Sequence, residues 1–511
     1  MATLAIISEQ WLPTLALILL PILALLFFRG NKKKKQEPGV KLPPGPSKLP
    51  IIGNLHQVGS LPYKSLWNLS QKYGPVMQLQ FGKTPVIVLS SGQTAKEAMK
   101  DHDLETCSRP RSVGPGILTY NFLDVVFAPY SDYWKEIKKL FITELLSMKR
   151  VHMHWYAREE QIDKLIGVLS NASPNPVNLT ELVFNVYDGF IGTVAFGRSF
   201  GQSEFKQGFV EVISGAMDMM NGFHAEDFFP TAGKFIDILT GQLAKREKIF
   251  RNLDDYFEKV VNQHLDPNRP KPESGKEDIV DILIGLMKDE NASFKLTRDN
   301  LKSIILDIFL GGIDTSTSTT TWALSEMLKN PRIMKKAQEE IRGIVGKANR
   351  VEGRDLERFT YLNMIVKETF RKHPPLPLLI PHECIKHCKI GGYDVFPGTT
   401  VMINAYAMGR DPKCWDNPEE FIPERFENSD VDFKGSHFEL LPFGAGRRIC
   451  PGLAMGTTAV MHTLANLLYG FDFELPNGMK FEEFPLIEKG GLTIHNKQQL
   501  IVIPNKYQPK D

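Results

Sequence analysis

Pro442 to Gly452 reads P-F-G-A-G-R-R-I-C-P-G. One cysteine, Cys450, sits in a glycine-rich turn, with Arg447 and Arg448 before it and a Pro-Gly pair after it. Gly444, Gly446 and Gly452 lack a Cβ, so the backbone there can turn sharply and approach a flat object closely. A ligating thiol must be a thiolate, and a positively charged surround with backbone N–H groups aimed at the sulfur favours that form. The bland alternative is a tight turn beside a buried free cysteine.

One soft sulfur is too few for a structural zinc site, which takes four protein ligands. It suits haem iron, where the porphyrin supplies the remaining in-plane donors. The spacing at Phe443, Gly446, Arg448, Cys450 and Gly452 resembles the haem-binding signature F-x-x-G-x-R-x-C-x-G of cytochromes P-450. The resemblance implies haem b as cofactor, Cys450 as its metal ligand, and Phe443, Gly446 and Arg448 as part of the haem site. It extends over nearly all of the chain.

Upstream, Ile304 to Leu310 is apolar except for Asp307, and Gly311-Gly312-Ile313-Asp314-Thr315-Ser316 follows. Two glycines inside a helix cost about 1 kcal/mol each relative to alanine. They serve either close approach or a local opening of the helix. Seven successive hydroxyl residues, Thr315 to Thr321, are poor helix formers and need tertiary packing to hold them. Asp314 beside Thr315 offers an acid and an alcohol for a proton relay. The pair matches A/G-G-x-D/E-T-T/S of the family's distal helix, where the threonine helps deliver protons during oxygen activation; a plain small-residue helix contact is the alternative.

Trp134 and Lys138 lie four apart on a helical stretch and share a face, so an indole N–H and a cation can both reach carboxylates. The resemblance makes them haem-propionate partners. His382 stands where the family often has a propionate-binding arginine, and retention of haem is expected to weaken above its pKa. His382, Cys384, His387 and Cys388 also invite a zinc reading, but strand signals there send alternate side chains apart. Glu368 and Arg371 match the family's E-x-x-R, and Arg425 its P-E-R-F, a structural triad.

There are 61 basic and 59 acidic residues in a chain of 511, a balance that argues against nucleic acid as the main partner. Five cysteines are no disulfide framework in so long a chain and point to a reducing compartment. Trp11 to Phe28 carries no charge, and eighteen residues at ~1.5 Å rise span a thin bilayer. Arg29 and Lys32 to Lys35 follow it, which places the N-terminus in the lumen and the remainder in the cytosol. The expected organisation is a single-pass endoplasmic reticulum anchor at 1–30, a basic and proline-rich linker at 31–50, and a cytosolic haem-thiolate domain at 51–511. Sequons at Asn68, Asn171, Asn178 and Asn291 would then stay unmodified.

Met77, Leu79 and Phe81 alternate with glutamines and Val86 to Leu89 is apolar, which predicts two strands around a turn at Gly82 to Pro85. Helical patterns run from Thr94 to about Lys372, and short strands return from Cys388 to Ala405 with a turn at Gly391-Gly392. This predicts a mainly α fold with small β-sheets, and the resemblance makes it the P-450 fold. No G-x-G-x-x-G fingerprint is present, so electrons must come from a partner. The resemblance implies NADPH-cytochrome P-450 reductase, with cytochrome b5 as a further candidate, docking near Arg447, Lys135, Lys138 and Lys139.

By the same resemblance, substrate contacts come from Arg111 to Phe127, Ala216 to Phe229, Ile304 to Thr315, Pro375 to Ile380 and Gly490 to Thr493. Their side chains, among them Ile117, Leu118, Phe122, Met217, Met219, Met220, Phe223, Leu376, Leu378, Leu379 and Leu492, are largely apolar. The wording of P-P-G-P, F-A-P-Y and A-M-G-R-D-P resembles plant microsomal members of specialised metabolism. It implies a monooxygenase acting on a hydrophobic alkaloid, terpenoid, phenolic or oxime. A P-450-like isomerase or dehydratase and a non-catalytic haem protein are the competing readings.

Overall fold

The computed structural model describes residues 39–508 apart from 198–202, 271, 274, 293 and 481–482. The apolar run Trp11 to Phe28, its basic flank and most of the linker lie outside the described residues. Among the described residues no helix is long and apolar enough to cross a membrane.

Ten of the longer helices carry the architecture here: α1 Pro62–Tyr73, α2 Asp132–Leu140, α3 Trp155–Ala172, α4 Leu179–Phe196, α5 Gln242–Leu265, α6 Arg298–Gly312, α7 Asp314–Lys329, α8 Pro331–Val345, α9 Thr360–Lys372 and α10 Leu453–Gly470. The strands are short: β1 Val76–Phe81, β2 Thr84–Leu89, β3 Val177–Asn178, β4 His382–Glu383, β5 Cys388–Ile390, β6 Tyr393–Val395, β7 Thr400–Ile403, β8 Phe471–Glu474, β9 Glu488–Lys489, β10 His495–Asn496 and β11 Ile501–Lys506. One sheet runs β1-β2-β7-β4, a second runs β3-β11-β8, and β5–β6 and β9–β10 are separate pairs. The expected mainly helical fold with minor sheets is what forms.

The β1–β2 turn is tighter than expected, because Thr84 and Pro85 already belong to β2. Pro85 has no N–H to donate, and it sits just before β2 begins its parallel pairing with β7 at Val86. Gly391 and Gly392 take φ of +58° and +77° between β5 and β6, as the hairpin turn requires.

The core runs through α4, α6, α7, α9 and α10, and includes Phe190, Ile305, Leu324, Ile365 and Leu464. α6 starts cleanly. The Thr297 hydroxyl caps the Asn300 N–H, and the Asn300 side chain returns a bond to Thr297. In α7 the seven hydroxyl residues are held as packing must hold them. Thr317, Thr319 and Thr321 donate to the carbonyls one turn back, at 2.9, 2.9 and 2.8 Å. Thr320 meets the Tyr187 hydroxyl and Ser318 donates to the Ile494 carbonyl, so the helix is stitched to α4 and to the β9–β10 hairpin.

Candidate functional site: a thiol-walled cavity under the broken distal helix

α6 and α7 form one axis interrupted at Ile313 (φ −85°, ψ −62°). The two glycines before the break have separate causes. A Cβ on Gly312 would come within 2.7 Å of Ile191 Cδ1, so α4 packs directly on that backbone. A Cβ on Gly311 would meet nothing within 4 Å, because Gly311 faces a cavity. The Thr315 hydroxyl donates to the Gly311 carbonyl at 2.6 Å, which stabilises the opened turn.

That cavity holds about 1810 Å³ of empty space, its mouth included. Cys450, Phe443 and Arg448 line it from the signature turn, and Thr315 and Ser316 from the distal helix. Cys450 N–H donates to the Phe443 carbonyl at 2.9 Å, which closes the turn. Burial pushes the Cys450 thiol up, while the Gly452 N–H and the Lys138 charge act the other way. Free protein therefore favours the thiol, and a metal bond is what would make the thiolate the stable form. The glycines serve the turn more than a flat ligand. Gly446 has φ +64°, and a Cβ there would lie 2.2 Å from the Met99 carbonyl oxygen.

Phe443 ties the turn to the buried triad. Phe370 of α9 packs edge-on against it at 5.2 Å. The next residue, Arg371, binds Glu368 through two bonds of 2.7 and 2.8 Å. Arg425 adds a third at 3.0 Å. Arg371 also donates to the carbonyls of Gly409, Pro418 and Glu420, so its charge is satisfied although it is buried.

The cationic residues gather at one edge of the cavity. Arg448 donates to the carbonyls of Cys107 and Ala128, both at 2.7 Å, and lies 3.9 Å over the Trp134 ring. Lys138 reaches the Arg447 carbonyl and also lies over Trp134. Sequence reasoning missed Arg109, which donates to the carbonyls of Val126, Ile380 and Pro381. It lies in a Gly/Pro segment without period, so no pattern marked it. Burial lowers the Lys138 pKa to about 8 and that of Arg448 to about 10, and holds Arg109 well below its usual value. None of the three is ion-paired to a carboxylate among the described residues. A buried cationic cluster with no carboxylate at ion-pair distance among the described residues, beside a thiol in a largely apolar cavity, fits a haem with two propionates.

Trp134 and His382 both have partners within the protein. The Trp134 indole N–H already donates to the Val125 carbonyl at 2.9 Å, so the ring serves Arg448 and Lys138 as a cation platform. His382 lines the cavity, but burial and the charges of Arg109 and Arg448 hold its pKa well below the usual range. Its Nδ1–H donates to the Thr106 carbonyl at 3.0 Å. Burial and these two charges favour its neutral form.

Asp314 is placed apart from Thr315. Its side chain does not line the cavity with Thr315. It pairs with His495 Nε2 at 2.9 Å. Burial raises its pKa, but the His495 hydrogen bond and charge, with the Thr493 hydroxyl, outweigh burial and leave it lowered.

Of the residues expected to meet substrate, Leu376, Leu379 and Leu492 line the cavity. Leu118, Phe122 and Met219 are core, and Phe223 is 57 % exposed beside a separate cavity against Arg246. His382, Cys384, His387 and Cys388 form no metal cluster among the described residues; His387 bonds Asp394 instead.

Asp307, the one acid in the apolar part of α6, lines the cavity and is buried, as is Asp124. Asp307 Oδ2 accepts the Val125 N–H at 2.7 Å, and Asp124 Oδ2 accepts the Phe127 N–H. Burial, then the Asp124 charge, raises Asp307 well above the carboxylate range, and burial pushes Asp124 up to about 6. A carboxyl raised on folding costs stability as the pH climbs above its unfolded value of about 3.9 and on through its folded one. Asp307→Asn should therefore gain thermal stability relative to the parent between about pH 5 and pH 8, with the gap widening as pH rises. A gap independent of pH in thermal melts would contradict the raised Asp307 carboxyl.

Comparison with known proteins decides the family. The Cytochrome P450 family model matches residues 43–502. This chain belongs to the cytochrome P450 family. It is 65% identical to a 2-methylbutanal oxime monooxygenase of Manihot esculenta, over 99% of each chain. It is 50% identical to a 4-hydroxyphenylacetaldehyde oxime monooxygenase of Sorghum bicolor, over 98% of this chain and 97% of that one. A phenylacetaldehyde oxime monooxygenase of Prunus mume is 43% identical over 96% and 95%. A zebra fish cytochrome P450 structure with progesterone superposes at a TM-score of 0.74 and 24% identity, covering 87% of this chain and 99% of the other, and shows the shared fold. As a P450 the protein is a haem b monooxygenase of plant type, drawing on NADPH through a redox partner.

Proposed function

We propose that the protein oxidises an aldoxime of plant specialised metabolism, with a small branched aliphatic or an aryl side chain. The observation that carries this reading is the 65% identity, over 99% of both chains, to the Manihot oxime monooxygenase. The cavity agrees in chemistry. Phe127, Phe190, Ile308, Leu376, Leu379 and Leu492 offer apolar contact, and Thr315 and Thr493 offer hydroxyls to an oxime N–OH. Cys450 is the iron ligand, Arg448, Lys138, Trp134, His382 and Arg109 hold the propionate edge, and Phe443 and Gly446 shape the turn. Haem held by a cysteine thiolate supplies O–O bond cleavage, for which P-450s are the standard example. The chain's own part is to seat the substrate, exclude water and deliver protons.

Titrating the purified protein with aldoximes and the matching nitriles tests the substrate class. Aldoximes are expected to shift the Soret band at lower concentration than nitriles, and no shift with any aldoxime would remove the substrate reading. Thr315→Ala is expected to divert NADPH-derived electrons to peroxide, lowering product per NADPH on the order of 10-fold or more, as loss of a positioned proton donor does. Unchanged coupling would exclude Thr315 from proton delivery.

The anchor belongs to the same proposal. Residues 1–30 hold the protein in the endoplasmic reticulum membrane as a single pass, with the catalytic domain cytosolic and 31–50 as spacer. NADPH-cytochrome P-450 reductase, with cytochrome b5 as a second donor, meets the face carrying Arg447 and Lys135, whose side chains are 47% and 50% exposed. Resistance of the protein to alkaline carbonate extraction, lost on deleting residues 1–30, checks the anchor.

A further inference from the structure

Arg158 on α3 is 1% exposed and lies outside the cavity lining. None of its three guanidinium nitrogens has a hydrogen-bond partner among the described residues, and no carboxylate there offsets its charge. The acids that follow on α3 are engaged elsewhere. Glu159 and Asp163 pair with Arg350 at 3.1 and 2.6 Å. Arg158 is held by aromatic rings instead. Its guanidinium lies over Trp155 at 4.6 Å and over Phe190 at 4.8 Å. Trp155 is fixed in turn: its ring centroid stands 4.9 Å from that of His462 on α10, and its N–H donates to Glu159 at 3.1 Å. Phe190, on α4, lines the thiol-walled cavity. One aromatic ring therefore stands between a buried cation and the cavity.

Burial lowers the Arg158 pKa to about 10, which leaves it charged at neutral pH. Burial lowers His154 and His462 to about 4, which leaves both neutral. A cation buried without counter-charge costs folding stability. Its field is also weakly screened by water and salt. The cationic edge at Arg109, Arg448 and Lys138 would be answered by the propionates of a bound haem. Arg158 does not line the cavity, so its charge stays unanswered in the holoenzyme.

We propose that Arg158 is a positioning charge that raises the reduction potential of the bound haem, acting across Phe190. The inference rests on the haem site and not on the identity of the substrate. One electron, supplied by NADPH through the redox partner, lowers the charge of the site by one. A fixed positive charge stabilises that reduced form more than the oxidised one, so Arg158 favours acceptance of the electron. Buried in a medium of effective dielectric about 20, a unit charge behind one ring is worth on the order of 10-fold in that equilibrium. Tenfold is about 59 mV for one electron.

Midpoint potentials of the holoenzymes, titrated spectroelectrochemically at pH 7 without substrate, test this. Arg158→Met and Arg158→Gln remove the charge, and Arg158→Lys keeps it without the planar guanidinium. Lys164→Met removes a charge from the solvated face of the same helix, where that side chain is 60% exposed. Arg158→Met and Arg158→Gln are expected to keep the red-shifted CO band and to lower the potential by about 59 mV. Arg158→Lys and Lys164→Met should stay near the parent. The drop should persist at about 0.5 M salt, since buried charges are little screened. Parent-like potentials in Arg158→Met and Arg158→Gln would overturn the proposal. So would an equal drop in Arg158→Lys, which would make the effect one of packing, or a drop that salt abolishes. Failure of both uncharged variants to hold haem while Arg158→Lys holds it would make Arg158 structural and overturn it too. The measurement needs no substrate, so failure of aldoximes as ligands counts against the substrate reading alone.

Discussion

Cys450→Ala is expected to abolish NADPH-dependent turnover to below detection while most of the fold survives. Its sulfur is the one thiol in the cavity wall, and the turn around it is held by backbone features that alanine keeps. The Cys450 N–H bond to the Phe443 carbonyl remains, as does the positive φ of Gly446. The Soret band of the reduced, CO-treated variant should lose its red-shifted position, because that position reports a thiolate ligand. Retention of the red-shifted band in Cys450→Ala would place the ligand elsewhere. Cys107, Cys384, Cys388 and Cys414 are the other free thiols, and none of them lines the cavity.

The largest effect on stability is expected from Glu368→Ala. Glu368 is fully buried and neutralises Arg371, which is 1% exposed. Removing one partner of a buried pair leaves an uncompensated charge and costs about 3–5 kcal/mol. That is a large part of a typical folding free energy of about 5–15 kcal/mol. The damage would reach the haem site, because α9 carries Phe370 against Phe443. Little correctly folded haem protein should accumulate, and what does should melt well below the parent. A parent-like melting temperature and haem content would show that the triad is dispensable. Glu368→Gln should fall between, since it keeps acceptors for Arg371 but not the charge.

What the sequence made legible was local. The signature turn, the two glycines of the distal helix and the i,i+3 pair Glu368–Arg371 each lie within a dozen residues, so spacing alone exposed them. Long-range partners were not legible. Arg425 could be matched to the pair only through resemblance, and the Asp307–Asp124 contact joins residues 183 apart across a segment without period. Asp314 was read by its neighbour Thr315, yet its real partner lies on β10, fixed by the way Ile494 docks on α7. Arg109 was missed for the same reason: its partners are carbonyls of residues 380 and 381, which no spacing rule connects to it. Burial disfavours the charged form of His382, and burial is a property of the packed fold.

The central claim is that this P450 spends NADPH and O2 on an aldoxime. Its most direct test is aldoxime consumption by microsomes containing the protein and the reductase, with 2-methylbutanal oxime as the first substrate and the CO difference spectrum taken on the same sample. The account predicts a red-shifted band, and consumption that stops without NADPH, without O2 and in Cys450→Ala. Consumption that continues without NADPH would make the protein a dehydratase. A red-shifted band with no consumption of any aldoxime would contradict the substrate assignment while leaving the haem-thiolate site in place.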